Sequence, residues 1–364
     1  MSAEEKTASI VGAGIAGMSL ALHLARRGWK VRVYEQEYPG FSASGRSAGI
    51  IVTIFEEDLL RLALESVNFY NSLPEAEGRI SRRKAAYFNE KFECLDRLSR
   101  IHESLGLEFR YCLSEEDLGV PFETLGHPTA VIETFILDTG WAVNALQSAL
   151  AGLGVEIVNT RVEARGGRLV AGGDPLEGVI VLAAGPWTPV LLKDLGYDNV
   201  VRDKYQLYRC QIASVEGPTP RLVIEDDALD YYLVPVSPSR FNIGDGPNTP
   251  IQDPYEGFHY DLEDSYSVLE RFAERVPSAW ESRLIQAWSA PCITGSDGLP
   301  IIDEIDKGLI VFTGLDGAGM SLAPALAGLL AESLDRGEWL LPSWSRVSGK
   351  PRSSGVREPY YIEC

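Results

Sequence analysis

Residues 8–35 read ASIVGAGIAGMSLALHLARRGWKVRVYE. An apolar strand (Ile10, Val11) runs into three glycines. An apolar-periodic helix follows as far as Gly28, and a second β-branched strand ends on Glu35. Each part has a physical task. Gly12 permits the sharp turn out of the strand, and Gly14 removes a Cβ so that a pyrophosphate can reach the backbone. Gly17 lets the helix pack close to the sheet. The helix N-terminus, at Ile15 and Ala16, offers free N–H groups and a positive dipole end to phosphates. Glu35, with Gln36 beside it, closes the second strand where an adenosine ribose would donate hydrogen bonds. The stretch therefore predicts a strand–turn–helix–strand unit that binds a dinucleotide. Its uncharged run, 8–22, is shorter than the ~18 residues of a membrane span and is interrupted by glycine, so no span is expected.

The chain has 364 residues, 45% of them hydrophobic and 23% charged, with a net charge of −19. That length suits one large or two ordinary domains of a globular protein. The negative charge opposes nucleic acid and anionic membrane surfaces. Five cysteines (Cys94, Cys112, Cys210, Cys292, Cys364) are scattered, with no C-x-x-C pair. That pattern predicts free thiols, buried at the first four positions, with no metal site and a reducing, cytoplasmic setting. The acidic, polar N-terminus does not read as a signal peptide.

Helical periodicity marks residues 57–73, 92–106 and 139–153, the last with Thr139 as a candidate N-cap. Residues 154–162 read as a strand, and 168–183 as a hairpin leading into the buried strand Val179–Ala183. Between about 200 and 295 the texture turns to alternating strands rich in tyrosine and proline, interrupted by a helix at 263–275. After 296 the glycine-turned texture returns: a strand to Thr313, a turn at Gly314, Gly317 and Gly319, then an apolar helix through Met320 and Ser321 to Arg336. The expected fold is α/β, α+β overall. A discontinuous Rossmann-like cofactor domain (1–80, 140–200, 296–346) is interrupted by a mixed-sheet substrate domain (81–139, 201–295), and 347–364 is a polar surface tail.

Three segments converge on a flavin. The first is the opening glycine turn. The second is a buried strand that ends in Ala184-Gly185 with Trp187 just beyond. The third is the C-terminal strand–glycine–helix unit, whose helix N-terminus suits the edge of an isoalloxazine where negative charge develops on reduction. Together they favour FAD over NAD. With these pieces, the loop Ser44-Gly-Arg46-Ser47-Ala48-Gly49 and Asp297-Gly-Leu-Pro300, the chain resembles the FAD-dependent family of D-amino-acid oxidase, glycine oxidase and monomeric sarcosine oxidase. The resemblance covers residues 7 to about 345. It implies that Ser44, Arg46, Ser47, Ala48 and Gly49 lie along the pyrophosphate and flavin, and that Val162 contacts the adenine.

The resemblance also implies oxidation of a C–N bond, with hydride passing to flavin N5 and no protein nucleophile. Tyr232 resembles a tyrosine that lines the sarcosine-oxidase pocket, and strand alternation sends Tyr231 to the other face. Arg209 is a candidate clamp for a substrate carboxylate, with a salt bridge as the competing reading. Three departures stand out. The oxygen-activating lysine of sarcosine oxidases falls at Asn242, which favours a dehydrogenase over an oxidase. The carboxylate-binding arginine of glycine oxidase falls at Cys292. The cysteine that carries the flavin covalently in sarcosine oxidases falls at Ala290, which leaves Cys292 offset as a thioether candidate beside the leading expectation of non-covalent FAD. Asp316 sits in a turn meant to favour an anionic flavin, and is expected to point outward and cap the helix.

The leading expectation is an FAD-dependent dehydrogenase or oxidase of a small amino acid or N-alkyl amino acid. Its electron acceptor is unknown, and a homo-oligomer or partner subunit is compatible with the sequence. An FAD-dependent 2-hydroxy-acid dehydrogenase and a flavin-holding subunit of an electron-transfer complex are the alternatives.

Overall fold

The computed structural model describes residues 6–197, 203–244 and 249–346; the tail expected at 347–364 lies outside the described residues. The opening unit forms as read: strand Thr7–Val11, helix Ile15–Arg26, strand Lys30–Glu35. Its two strands pair in parallel, Val11 opposite Tyr34. Strand Val179–Leu182 pairs in parallel on the other side, Val11 opposite Leu182. A six-stranded sheet results, in the order Ile301–Asp306, Leu309–Thr313, Val179–Leu182, Thr7–Val11, Lys30–Glu35, Glu156–Asn159. Only Ile301–Asp306 runs antiparallel to its neighbour.

A parallel sheet must be covered on both faces. One face takes helix Ile15–Arg26, against which the C-terminal helix Gly319–Arg336 packs, with Glu57–Asn71 on its far side. The other face packs Val11, Leu182 and Val311 against Val162 and Leu169 of a small antiparallel sheet, Val162–Arg165, Arg168–Ala171 and Asp174–Pro175. The stretch expected as one strand, 154–162, thus divides between two sheets. The Thr160 N–H donates to the Glu35 carbonyl at 2.7 Å and finishes the first ladder; the chain then turns and Val162 opens the second.

The helices expected at 57–73, 92–106 and 139–153 are Glu57–Asn71, Phe92–Leu105 and Thr139–Gly152. The N-cap of the third is Asp138 and not Thr139: its carboxylate accepts from the Trp141 N–H at 2.9 Å. Helix Gly319–Arg336 is apolar and long enough to cross a bilayer by composition, but two thirds of that stretch is buried inside the protein. It also contains Pro324. A proline has no N–H, so the Met320 carbonyl four residues back loses its helical donor. The hydroxyl of the fully buried Tyr70 donates to that carbonyl at 3.0 Å, and the next N–H, of Ala325, donates to the Ser66 hydroxyl at 3.2 Å.

The second large sheet has ten strands. Its order is Thr249–Pro250, Tyr205–Glu216, Arg240–Gly244, Tyr231–Ser237, Val223–Asp226, Ile80–Phe88, Thr129–Leu137 and Ile50–Ile51, with Arg283–Gly295 paired along Tyr205–Glu216 and Phe109–Tyr111 along Thr129–Leu137. Helix Leu262–Arg275 covers one face and buries Val268 and Phe272 against Tyr231, Phe241 and Ile243. The opposite face looks toward the six-stranded sheet, and the principal cavity lies between them.

Candidate functional site

The cavity encloses about 1290 Å³ and is lined by both glycine turns, the Ser44–Ala48 loop and the ten-stranded sheet. At one end, Gly12 adopts φ +106°, and a Cβ there would stand 2.5 Å from the Ala183 carbonyl. Only glycine lets the first strand turn this close to the end of its neighbour. A Cβ at Gly17 would collide with the Gly12 carbonyl, so Gly17 serves helix packing and does not line the cavity. Gly14, at the N-cap of helix Ile15–Arg26, makes no side-chain cap. The Ser44 hydroxyl accepts from the Ile15 N–H at 3.0 Å, which leaves its own proton to donate into the cavity. The Glu35 carboxylate is held by the N–H groups of Ala13 (2.8 Å) and Glu37 (3.0 Å) and borders the cavity beside Gln36.

These features fit FAD. A helix start with a glycine N-cap and a serine hydroxyl beside it would suit a pyrophosphate, a pre-oriented carboxylate would suit a ribose, and Val162, Arg161 and Arg165 line the same cavity where an adenine could be held. Ala184, Gly185, Trp187, Gly314, Gly317, Gly319 and Met320 line the remainder, with Ile15, Ala16, Ser47 and Ala48. Arg46 lies 5.0 Å from the ring of Phe258 and 5.8 Å from that of Phe41, and its Nε donates to the Phe41 carbonyl at 3.2 Å. Two expected contacts are braces instead. Gly49 abuts the Leu137 carbonyl, in a conformation (φ +80°) that favours glycine. The Ser321 hydroxyl is fully buried and accepts from the Val52 N–H at 3.0 Å, tying the C-terminal helix to the segment that follows strand Ile50–Ile51.

Asp316 departs from expectation. No side-chain cap closes the turn Asp316–Ala318 or the helix after it. Its backbone is left-handed (φ 52°), and its carboxylate borders the cavity and accepts from the Gly317 N–H. Burial raises its pKa to about 7, with the Gly317 hydrogen bond opposing.

The sheet side of the cavity is built by register. One transverse row runs Tyr87, Glu225, Tyr232, Gly244, Ile212, Trp288, each directly opposite the next across adjacent strands. Direct cross-strand partners share a face, and Glu225, Tyr232, Ile212 and Trp288 line the cavity. Tyr232 lies over Gly244, where a Cβ would collide with the tyrosine hydroxyl. Tyr231 points the other way, 2% exposed, against Phe272. The Trp288 indole N–H donates to the Arg46 carbonyl at 2.9 Å and joins this row to the cofactor loop. Glu225 and Trp288 were not expected; only the strand register places them in one row with Tyr232.

Arg209 does not serve as a carboxylate clamp in this arrangement. Its guanidinium pairs with Asp264 and donates to the His259 carbonyl at 2.9 Å, fastening helix Leu262–Arg275 to the sheet. The salt-bridge reading holds. Asn242 lies opposite Val234 and Ser214, on the row beside the cavity row, and does not line the cavity. Cys210 and Cys292 are joined by a disulfide with Cα atoms 6.1 Å apart, across the antiparallel strands Tyr205–Glu216 and Arg283–Gly295. Cys292 is thus neither a free thiol nor available for a thioether to flavin. Cys94 is also disulfide-bonded, and Cys112 is free but exposed. The argument from free thiols to a reducing compartment loses its support. Among the described residues, no cluster of potential metal ligands occurs.

The chain belongs to the FAD-dependent oxidoreductase family (DAO), whose profile matches residues 8–333. It is an FAD-dependent enzyme of that class. Glycine oxidase of Geobacillus kaustophilus is 26% identical over 91% of this chain and 93% of its own length. Among solved structures, L-proline dehydrogenase from P. horikoshii superposes with a TM-score of 0.81 at 19% identity, covering 94% of this chain and 97% of that one. The glycine oxidase crystal structure from G. kaustophilus gives 0.77 at 23%, covering 94% and 98%.

Proposed function

We propose that this protein oxidises the C–N bond of a small amino acid or N-alkyl amino acid, and that it is a dehydrogenase more than an oxidase. The observation that carries the reading is the row Glu225–Tyr232–Ile212–Trp288, which lines the same cavity as the C-terminal glycine turn. FAD, held by the residues above, supplies the two-electron acceptor. The chain's own part is placement and exclusion of water. Ile212, Trp288 and Phe55 give an apolar enclosure, and Tyr232 offers one hydroxyl to orient the amine or its carboxylate. Lone-pair release requires a neutral amine, and no protein nucleophile is called for. The dehydrogenase preference rests on charge: among the described residues no lysine lines the cavity.

The test is anaerobic mixing of the yellow holoenzyme with separate pools of L-amino acids, D-amino acids, N-methyl amino acids and 2-hydroxy acids. Bleaching by an amine pool is expected, followed by slow return of colour in air and fast return with an artificial quinone acceptor. Bleaching by hydroxy acids alone, or by dithionite alone, would refute the proposal.

A further inference from the structure

Asp316 is the acid of the C-terminal glycine turn, and the amine chemistry above gives it no task. Its backbone is left-handed (φ 52°), which aspartate tolerates because its short side chain can bond locally. Here the carboxylate accepts from the Gly317 N–H and borders the cavity. The turn packs mainly against helix Gly319–Arg336 and strand Arg283–Gly295. Neither brings it an opposite charge. The ionisable side chains of the helix, Glu332, Asp335 and Arg336, lie in its last two turns. On the strand, Arg283 pairs with Glu216 at the exposed first residue, and Cys292 is bound in the disulfide. Burial raises the pKa of Asp316 to about 7; only the Gly317 hydrogen bond opposes it, and no basic side chain contributes.

The same turn opens the helix whose N-terminus suits the edge of an isoalloxazine where negative charge develops on reduction. A carboxylate in that turn meets the new charge with like sign. In a site that excludes water, two such charges are not both kept, and one group takes a proton. FAD in the cavity displaces water from around Asp316 and enlarges the effect. We infer that Asp316 is a redox-linked proton site: its carboxylate is ionised beside the oxidised cofactor in mildly alkaline solution and takes up one proton when the cofactor is reduced. The balance closes for a protonated amine as donor. The ammonium first loses an N–H proton, which ends on Asp316. Two electrons and one proton then leave the C–H bond together as hydride, and the C=N bond of a protonated imine forms. Cofactor and carboxylate together carry one negative charge before reduction and one after it. The inference rests on the FAD site and not on the amine reading, because any two-electron donor would load the same proton.

The test is a redox titration of the FAD-loaded protein with dithionite and indicator dyes, repeated from about pH 5.5 to about pH 9.5. The slope of the midpoint potential against pH counts the protons taken up per two electrons. Above about pH 7.5, Asp316→Asn should take up one proton fewer than the unaltered protein. Below about pH 6 the two should agree, because the carboxyl then keeps its proton in both redox states. Asp316→Glu should restore the lost proton. Equal counts at every pH would overturn the inference; a brace with no proton to exchange would leave them equal. A second measurement needs no variant. The reduced-minus-oxidised infrared spectrum of the unaltered protein at about pH 8.5 should gain the carbonyl stretch of a neutral carboxylic acid and lose carboxylate intensity. No such gain would overturn the inference even if Asp316→Asn fails to fold or to hold FAD. Dithionite supplies the electrons throughout. Failure of every amine pool to bleach the flavin would therefore refute the amine reading and leave these results to decide the proton site.

Discussion

Asp316 shows how one side chain links backbone strain, charge and the cofactor turn. A left-handed aspartate (φ 52°) is held against the cavity, and burial raises its carboxyl to about 7. An acid whose folded pKa lies above its unfolded value stabilises the fold at low pH and loses that contribution as pH rises through the folded value. The window here runs from about pH 4 to about pH 7. In the flavin-free protein, the stability of wild type relative to Asp316→Asn should fall by roughly 1–3 kcal/mol between pH 4.5 and 7.5, a figure discounted for water in the open cavity. Urea unfolding of both proteins across that range checks it; a constant difference would show that the carboxyl titrates normally. Gly244 offers a second test at this scale. Gly244→Ala should push the Tyr232 ring out of the cavity row. We expect FAD to remain bound and flavin reduction by substrate to slow about tenfold or more, as misplacement of a positioning group costs. Stopped-flow reduction with the visible spectrum as a loading control measures it.

At the scale of the element, helix Gly319–Arg336 carries the most information. Its periodicity was legible, and so was its glycine turn. Its proline removes a helical donor, and the means of accommodating it lies on another helix: Tyr70 and Ser66 of Glu57–Asn71 serve the Met320 carbonyl and the Ala325 N–H. Burial raises the Tyr70 phenol well above its ordinary pKa, so it stays a donor throughout the working range. Tyr70→Phe removes the donor and leaves a buried carbonyl unmet, which should cost about 1–3 kcal/mol. Chemical denaturation should show a lower midpoint with an unchanged slope. An unaltered midpoint would mean that the kinked helix re-satisfies itself. Because Met320 and Gly319 line the cavity, the same variant should also weaken FAD retention.

For the molecule as a whole, the cavity of about 1290 Å³ that would hold FAD lies between the two large sheets. Ligand binding to the folded state alone adds RT ln(1 + [L]/Kd), about 2.7 kcal/mol at a hundredfold excess over Kd. Reloading flavin-free protein with FAD should therefore raise its Tm by several degrees, and Gly12→Ala, which closes the first turn against Ala183, should abolish the rise. Calorimetry with and without FAD decides it.

The amino-acid sequence by itself determined the cofactor end of this protein. Gly12, Gly14, Gly17 and Glu35 act within one local unit, where spacing along the chain is spacing in space. The same holds for the second glycine turn and for the period of each helix. The substrate end was not legible in that way. Tyr232 could be named, but its row partners Glu225 and Gly244 sit on the strands just before and after it, Ile212 and Trp288 on strands further off in the chain, and only register makes them one row. Arg209 looked like a clamp until a helix some fifty residues on brought Asp264 to it. Cys210 and Cys292, 82 residues apart, read as free thiols until the strands carrying them proved adjacent. Local backbone chemistry is written in consecutive residues, whereas which side chains share a face of a mixed sheet is decided by pairings across it. Tertiary structure alone makes those pairings.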